Sequence, residues 1–465
     1  MERGSIIRLT EWLWEIPREF RQDMRVPARF YTSEATLPQI LADRSLDQLV
    51  NVATLPGIER HSLAMPDIHE GYGFPIGGVA AFDIDNGIIS PGGIGYDINC
   101  GVRLLRTGER YAEVREMIPA LAREIYMQVP SGVGHGNRIS FTPKQLDGIL
   151  RGGAPVMVGL GYGTEEDLLH IESGGVLEAA DPAAVSLQAR QRGLDQLGTM
   201  GAGNHFVEID RVSAIFDPAA AERMGLFEGQ VVMQLHTGSR GLGHQIATDY
   251  IRRMNLVMPG YGISVPDREL ACVPFRSPEG QEYYRAMSAG ANFAWANRQL
   301  MTWEIRQAWR TLFSSAPPEV VYDVAHNVAK IELHETGSGS RELLVHRKGA
   351  TRAFPGQPVI IPGSMGTASF VLEGAQGAMR DSFGSSCHGA GRRMSRSRAK
   401  RLVEGSALRN ELERQGISVQ AGSMSGLAEE APEAYKDVAD VVGTVAAAGI
   451  ARKVAQLTPI GIMKG

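Results

Sequence analysis

The stretch SPGGIGYDINCG, residues 90–101, runs directly into the apolar GVRLL of residues 101–105. A glycine-rich turn thus opens a strand and delivers Asp97 and Cys100 three residues apart at its start. Working outward, the same apolar runs of strand type recur at 78–83, 206–209, 230–235, 320–324 and 359–362. Amphipathic runs at 111–128, 282–313, 390–415 and 436–448 predict helices. The Ala- and Asn-rich part of one of them, 286–298, predicts close packing against a neighbour. Strands and helices interleave without a regular βαβ beat, and no Gly-x-Gly-x-x-Gly follows the first strand. The prediction is therefore an α+β protein: a single large irregular mixed-sheet body with flanking helices over residues 1–465, neither a Rossmann fold nor a TIM barrel.

Composition bounds the function. The chain has 465 residues, 43% hydrophobic and 21% charged, close to ordinary globular usage. The first residues mix Glu2, Arg3, Arg8, Glu11 and Glu15 with apolar ones, and no run reaches the length of a membrane span. A cytoplasmic protein with no membrane partner is the expectation. Cys100, Cys272 and Cys387 are three widely spaced thiols, which excludes a disulfide framework and raises metal or catalytic roles instead. A formal net charge of −5 means that any nucleic acid must be met by a local basic surface.

The chemistry-bearing residues cluster at strand ends. Asp97 and Cys100 can converge on one cation, and a thiolate can bridge two; alone, an Asp-x-x-Cys is better read as a turn with an incidental buried cysteine. GTMGAGNHFVE (198–208) puts Asn204 and His205 at the mouth of a strand. VVMQLHTGSRGLG (231–243) puts His236 at the end of one, and VVYDVAHN (320–327) ends in His326 and Asn327. Three histidines in one context, with Asp97 and Cys100, make a ligand set of the right size for two metals, and strand ends can hold such ligands rigidly. His61, His135, His170, His244, His334 and His346 lack that context and are read as structural. So is His69, although MPDIHEGYGFPIGG (65–78) around it is another glycine-rich segment. SSCHGAGR (385–392) surrounds His388 with small residues before an expected helix start, where backbone N–H groups can hold a phosphate and a neutral imidazole can attack phosphorus. Cys387 reads as a small buried residue. Arg392, Arg393, Arg396, Arg398, Lys400 and Arg401 follow, either a solvated helix face or the required basic surface. PGSMGTAS (362–369) is a small-residue loop able to wrap a nucleotide. The tail PIGIMKG (459–465) is apolar enough to dock, although a penultimate Lys464 would ordinarily be mobile and solvent-facing.

Together with NFAWANRQ (292–299), these motifs resemble the RtcB-type tRNA-splicing ligases over nearly the whole chain. The resemblance implies an enzyme that joins RNA ending in a 2′,3′-cyclic phosphate or 3′-phosphate to RNA beginning with a 5′-hydroxyl. It implies GTP and two manganese ions as cofactors, with RNA as partner and, as in some relatives, an archease-like activator. The nucleophile it implies is His388, forming a histidine–GMP intermediate. The metal ligands are Asp97, Cys100, His205, His236 and His326, with Cys100 as bridge. Guanylate contacts fall on Asn204, His205, Phe206, Val207 and Glu208, on His326 and Asn327, and on Pro362, Gly363, Ser364, Met365 and Ser369. They continue through His388, Gly389, Ala390 and Gly391 to Tyr435 and Lys464. Two rival readings use the same residues. A binuclear metallophosphoesterase would act on RNA termini without joining them, and a silent RNA-binding scaffold would use only the basic run.

Overall fold

The Val-, Ile- and Leu-rich runs pair into two large sheets in the computed structural model, which describes residues 1–132, 136–337 and 339–465. His135 lies outside the described residues. One sheet has eight strands, in the order Glu319–Ala325, Gly101–Arg110, Gln230–Thr237, Phe206–Ile215, Ala451–Lys464, Ser369–Gly374 and Pro358–Ile361, with Ser418–Ala421 added in parallel alongside Ala451–Lys464. The other has seven, in the order Ile7–Arg8, Leu13–Ile16, Ala28–Tyr31, Ser62–His69, Ile76–Asp83, Gly339–Lys348 and Asn327–Thr336. Most neighbours are antiparallel, and both sheets contain one parallel pair. Register shifts interrupt several ladders, so the sheets are mixed and irregular as the sequence predicts. The chain steps from one sheet to the other across His326, between Glu319–Ala325 and Asn327–Thr336.

Register then places the site. Gly101 pairs with Thr237 and Ala325, and Phe206 pairs with His236. In an antiparallel ladder the start of one strand lies beside the end of the next. Cys100, His205, His236 and His326 therefore meet at one end of the eight-stranded sheet.

Helix Pro278–Leu312 backs that end. Ser277 caps it by accepting from the Gly280 N–H, and Pro278 sits in its first turn, where a missing N–H costs nothing. Ala286, Ala289, Ala291, Ala294 and Ala296 are fully buried. A Cβ on Gly290 would stand 3.3 Å from Ile98 and 3.4 Å from Ile246, so small residues set the depth of packing. The helix packs on Pro143–Gly159 as well as on the sheet.

All six sequence-predicted strands are present, several of them longer than expected. The helix predicted over 390–415 is not continuous: it splits into Arg396–Leu402 and Gly405–Arg414, and His388 is followed by a turn instead of a helix start. Ser395, an N-cap accepting from the Arg398 N–H, sets the later start. The C-terminal tail is an interior strand of the larger sheet, because its apolar alternation is paired on both sides. Among the described residues, no helix is long and apolar enough to cross a membrane.

Candidate active site

Cys100 lies at the centre of the site. Its Sγ is 3.2 Å from His236 Nε2 and 3.4 Å from His205 Nε2. His236 Nε2 is 3.4 Å from His326 Nε2, and His205 Nε2 is 2.9 Å from Asp97 Oδ2. Two ligand sets result, Cys100–His236–His326 and Asp97–Cys100–His205, each with its donor atoms within 4.8 Å of one another. Cys100 belongs to both. A buried set of ring nitrogens, a thiol and a carboxylate at these distances could hold cations. Burial lowers the His205 imidazole, and lowers His236 and His326 well below their usual range. All three are thus neutral, the form that binds metal. Burial would raise the Asp97 carboxyl, but the contact with His205 outweighs it and holds the group at about 2. Burial, reinforced by Asp97, pushes the Cys100 thiol well up, the trend a coordinated cation reverses.

Two residues of helix Pro278–Leu312 hold these ligands in place. Asn297 accepts from the N–H groups of Gly198 (2.7 Å) and Thr199 (3.1 Å) and donates to the carbonyls of Thr199 (3.2 Å) and Gly238 (3.1 Å). It ties the loop before His205 to the loop after His236. Arg298 donates to the carbonyls of Asn99 (2.8 Å) and Thr237 (2.9 Å), the neighbours of Cys100 and His236, and forks onto Asp323 at 2.8 and 2.9 Å. Asn99 itself adopts the left-handed conformation, φ 54°, which its amide supports by donating to the Ala291 carbonyl at 2.7 Å. The sequence reading missed both helix residues; the signal was a polar pair within a fully buried alanine-rich run.

His388 stands beside the cluster, its ring centroid 4.9 Å from that of His326. Its Nδ1 is 2.6 Å from Asp67 Oδ2, and its backbone N–H donates to the same oxygen at 3.0 Å. Asp67 is fully buried on strand Ser62–His69. A carboxylate in that position accepts a hydrogen bond from Nδ1–H, favouring the tautomer that leaves Nε2 with its lone pair. Gly391 makes the approach possible, since a Cβ there would lie 2.2 Å from the Asp67 carbonyl. Asp67 lay inside a quoted motif but was not singled out, because no local pattern links it to a histidine 321 residues away.

A cleft opens next to His388. Asn204, Phe206, Glu208, Pro362–Met365 (362–365), His388–Gly391 (388–391), Tyr435 and Lys464 line it. His236 also borders it, so cleft and ligand cluster are contiguous. Val207 does not line it: alternation along the strand turns its side chain into the core with Ile209 and Met233. Ser369 acts behind the wall, accepting from the Gly363 N–H at 3.0 Å. Asn327 also lies behind it, donating to the Asp97 carbonyl (3.1 Å) and accepting from the Gly349 N–H (2.9 Å). His69, read as structural, borders the cleft with its Nδ1 2.8 Å from the Asp67 carbonyl. Ile76, Arg392, Arg396 and Glu430 complete the lining.

Lys464 is not the solvent-facing terminal lysine expected from its position. It is 4% exposed, and its ammonium donates to the carbonyls of Gly203 (2.7 Å) and His205 (3.3 Å). Burial lowers its pKa, while Glu430 and Glu208 oppose the shift. Burial, with Asp210 adjacent, pushes Glu208 well up. The basic run is likewise only partly a solvated face. Arg392 pairs with Glu430 at 3.2 Å and stacks 4.9 Å from the Tyr435 ring, and Arg396 pairs with Glu430 at 3.1 Å.

The family model described as tRNA-splicing ligase RtcB matches residues 48–465. The chain is 53% identical to the tRNA-splicing ligase RtcB of Thermococcus kodakarensis, covering 100% of both chains. It is 49% identical to that of Archaeoglobus fulgidus, over 99% of each. It is 51% identical to the RNA-splicing ligase RtcB of Mycobacterium tuberculosis, over 90% of this chain and 100% of that one. This chain belongs to the RtcB family of tRNA-splicing ligases.

Proposed function

We propose that the chain is a GTP-dependent RNA ligase that joins a 3′-phosphate or 2′,3′-cyclic phosphate end to a 5′-hydroxyl end, using two manganese ions. The names of its relatives support RNA ligation. One observation carries the finer reading: a histidine with its Nδ1 tied to a buried carboxylate lies between an open cleft and a cluster of candidate metal ligands.

Asp97, Cys100, His205, His236 and His326 fit two cations that share the thiolate. Mixed thiolate, imidazole and carboxylate donors accept several divalent metals, and manganese is taken from the resemblance. When bound, the pair supplies charge that polarises a phosphate and neutralises a leaving pyrophosphate. His388 Nε2 attacks the α-phosphorus of GTP in the cleft, so that an N–P bond forms and the bond to pyrophosphate breaks. Asp67 stabilises the imidazolium that develops and holds the ring in line. The RNA 3′-phosphate then takes GMP from His388, and the 5′-hydroxyl displaces GMP as the phosphodiester forms. A cyclic end is first opened by water. Glu208, Tyr435 and Lys464 are among the cleft residues available to the guanylate.

Incubation with GTP labelled at the α-phosphate tests this. The unmodified chain should retain acid-labile label in the presence of manganese, and His388→Ala should retain none. RNA end processing without any label on the protein would identify a metallophosphoesterase instead.

A further inference from the structure

A second, larger groove opens beside the cleft and shares His69, Ile76, Arg392 and Arg396 with it. One wall is the basic segment 392–398. The other includes residues 39–44, which lie before the start of the family match at residue 48. Six cations line the groove (Arg44, Arg392, Arg393, Arg396, Arg398 and Lys436) against two carboxylates, Asp43 and Glu70. A chain of formal charge −5 thus concentrates positive charge beside its reaction centre.

These cations are not equally free. Lys436 is committed to the carbonyls of Pro66 and Ile68, and Arg392 to Glu430. Arg398 and Arg393 are exposed, and among the described residues neither forms an ion pair with a carboxylate, although Arg393 Nε donates to the Glu433 carbonyl at 2.8 Å and keeps its terminal N–H groups for a phosphate. Arg44 meets only an exposed Glu70 at 3.4 Å, a contact of little energy that a phosphate can replace.

We infer that this groove is the track for single-stranded RNA leading to His388, with Arg44, Arg393 and Arg398 meeting successive phosphates. Residues 39–44 supply the far wall of that track. The assignment of RNA as occupant depends on the ligase reading, while the groove's affinity for a polyanion does not. The groove is larger than the cleft it adjoins, which suits a strand better than a mononucleotide.

The test is the double variant Arg44→Ala/Arg398→Ala, with Arg398→Glu as a second variant that keeps a long side chain on the helix. Binding of a single-stranded RNA oligonucleotide bearing a 3′-phosphate is measured across a salt series, beside GMP labelling and the melting temperature. Losing two phosphate contacts should reduce the slope of log K against log salt by about 1.4, since each contributes roughly 0.7 on a single strand. Melting temperature and GMP labelling should match the unmodified chain, and Arg398→Glu should weaken RNA binding further than Arg398→Ala. RNA affinity and salt slope unchanged in both variants would overturn the track. Absence of GMP label from the unmodified chain would instead overturn the ligase reading, and a reduced salt slope in that case would still support the groove.

Discussion

At the scale of single residues, two side chains divide the chemistry between nucleophile and metals. Asp67 accepts hydrogen bonds from both the ring N–H and the backbone N–H of His388 on one oxygen. In Asp67→Asn the amide can present an N–H where an acceptor is needed, and the ring can adopt the wrong tautomer. The rate of GMP labelling should fall on the order of a hundredfold or more, with metal content unchanged. Labelling at the unmodified rate would show that Asp67 has no positioning role. Cys100 is the atom common to both ligand sets. Cys100→Ser should therefore lower the number of manganese ions bound per chain, as counted by elemental analysis, because an alkoxide forms far less readily than a thiolate. A serine variant that still binds two ions would reduce Cys100 to a core thiol. Cys272→Ser, in a buried site remote from the ligand sets, should change neither count nor activity.

At the scale of elements, one helix and one strand carry the site. Arg298 on Pro278–Leu312 satisfies two loop carbonyls and half of the buried Asp323 pair. Arg298→Ala leaves Asp323 to Arg103 alone and strands both carbonyls, at a cost of about 3–5 kcal/mol. The urea midpoint should drop and metal affinity should fall with it. Arg298→Lys restores charge without the planar fork and should rescue only part of both; full rescue would mean that the fork is not needed. The strand Ala451–Lys464 ends with Lys464 donating to two carbonyls of the turn before Phe206. Lys464→Ala should cost about 1.5–3 kcal/mol in a charge-assisted bond, seen as a lower melting temperature even without nucleotide. It should also weaken GMP labelling and narrow the preference for GTP over ATP. Equal selectivity in variant and unmodified chain would place guanine recognition elsewhere.

At the scale of the molecule, buried titratable groups outside the site contribute to the response to acid alongside the site's own buried histidines. Burial lowers His346 to about 3, where its Nε2 accepts from the Ser90 N–H at the start of the glycine-rich loop. Burial would raise Asp167 and Glu332, but Arg306 and Arg347 respectively outweigh it and hold each at about 2. In every case the folded pKa lies below the unfolded one, so the unfolded chain binds more protons as pH falls. Their stabilisation is complete above about pH 6.5 for the histidine and about pH 4 for the carboxylates, and is lost as pH falls towards 3 and 2. Urea midpoints measured without metal should decline from about pH 6.5 downward and more steeply below pH 4. His346→Gln should flatten the upper part of that decline. A midpoint that does not change between pH 7 and pH 5 would contradict a neutral His346.

The sequence by itself determined the strands of the site and the ligand types at their ends, because apolar runs, glycine turns and terminal histidines are local patterns. The motifs 90–101, 198–208, 231–243, 320–327 and 385–392 also carried the family without any coordinates. Only the tertiary structure decided which strand lies beside which, that Asp67 meets His388, and that Asn297 and Arg298 bind the loops from behind. It also decided that Lys464 is buried and that the helix after His388 begins only at Arg396. Those outcomes come from burying two sheets and a long helix against one another, and a contact between residues 321 apart has no counterpart in any local periodicity.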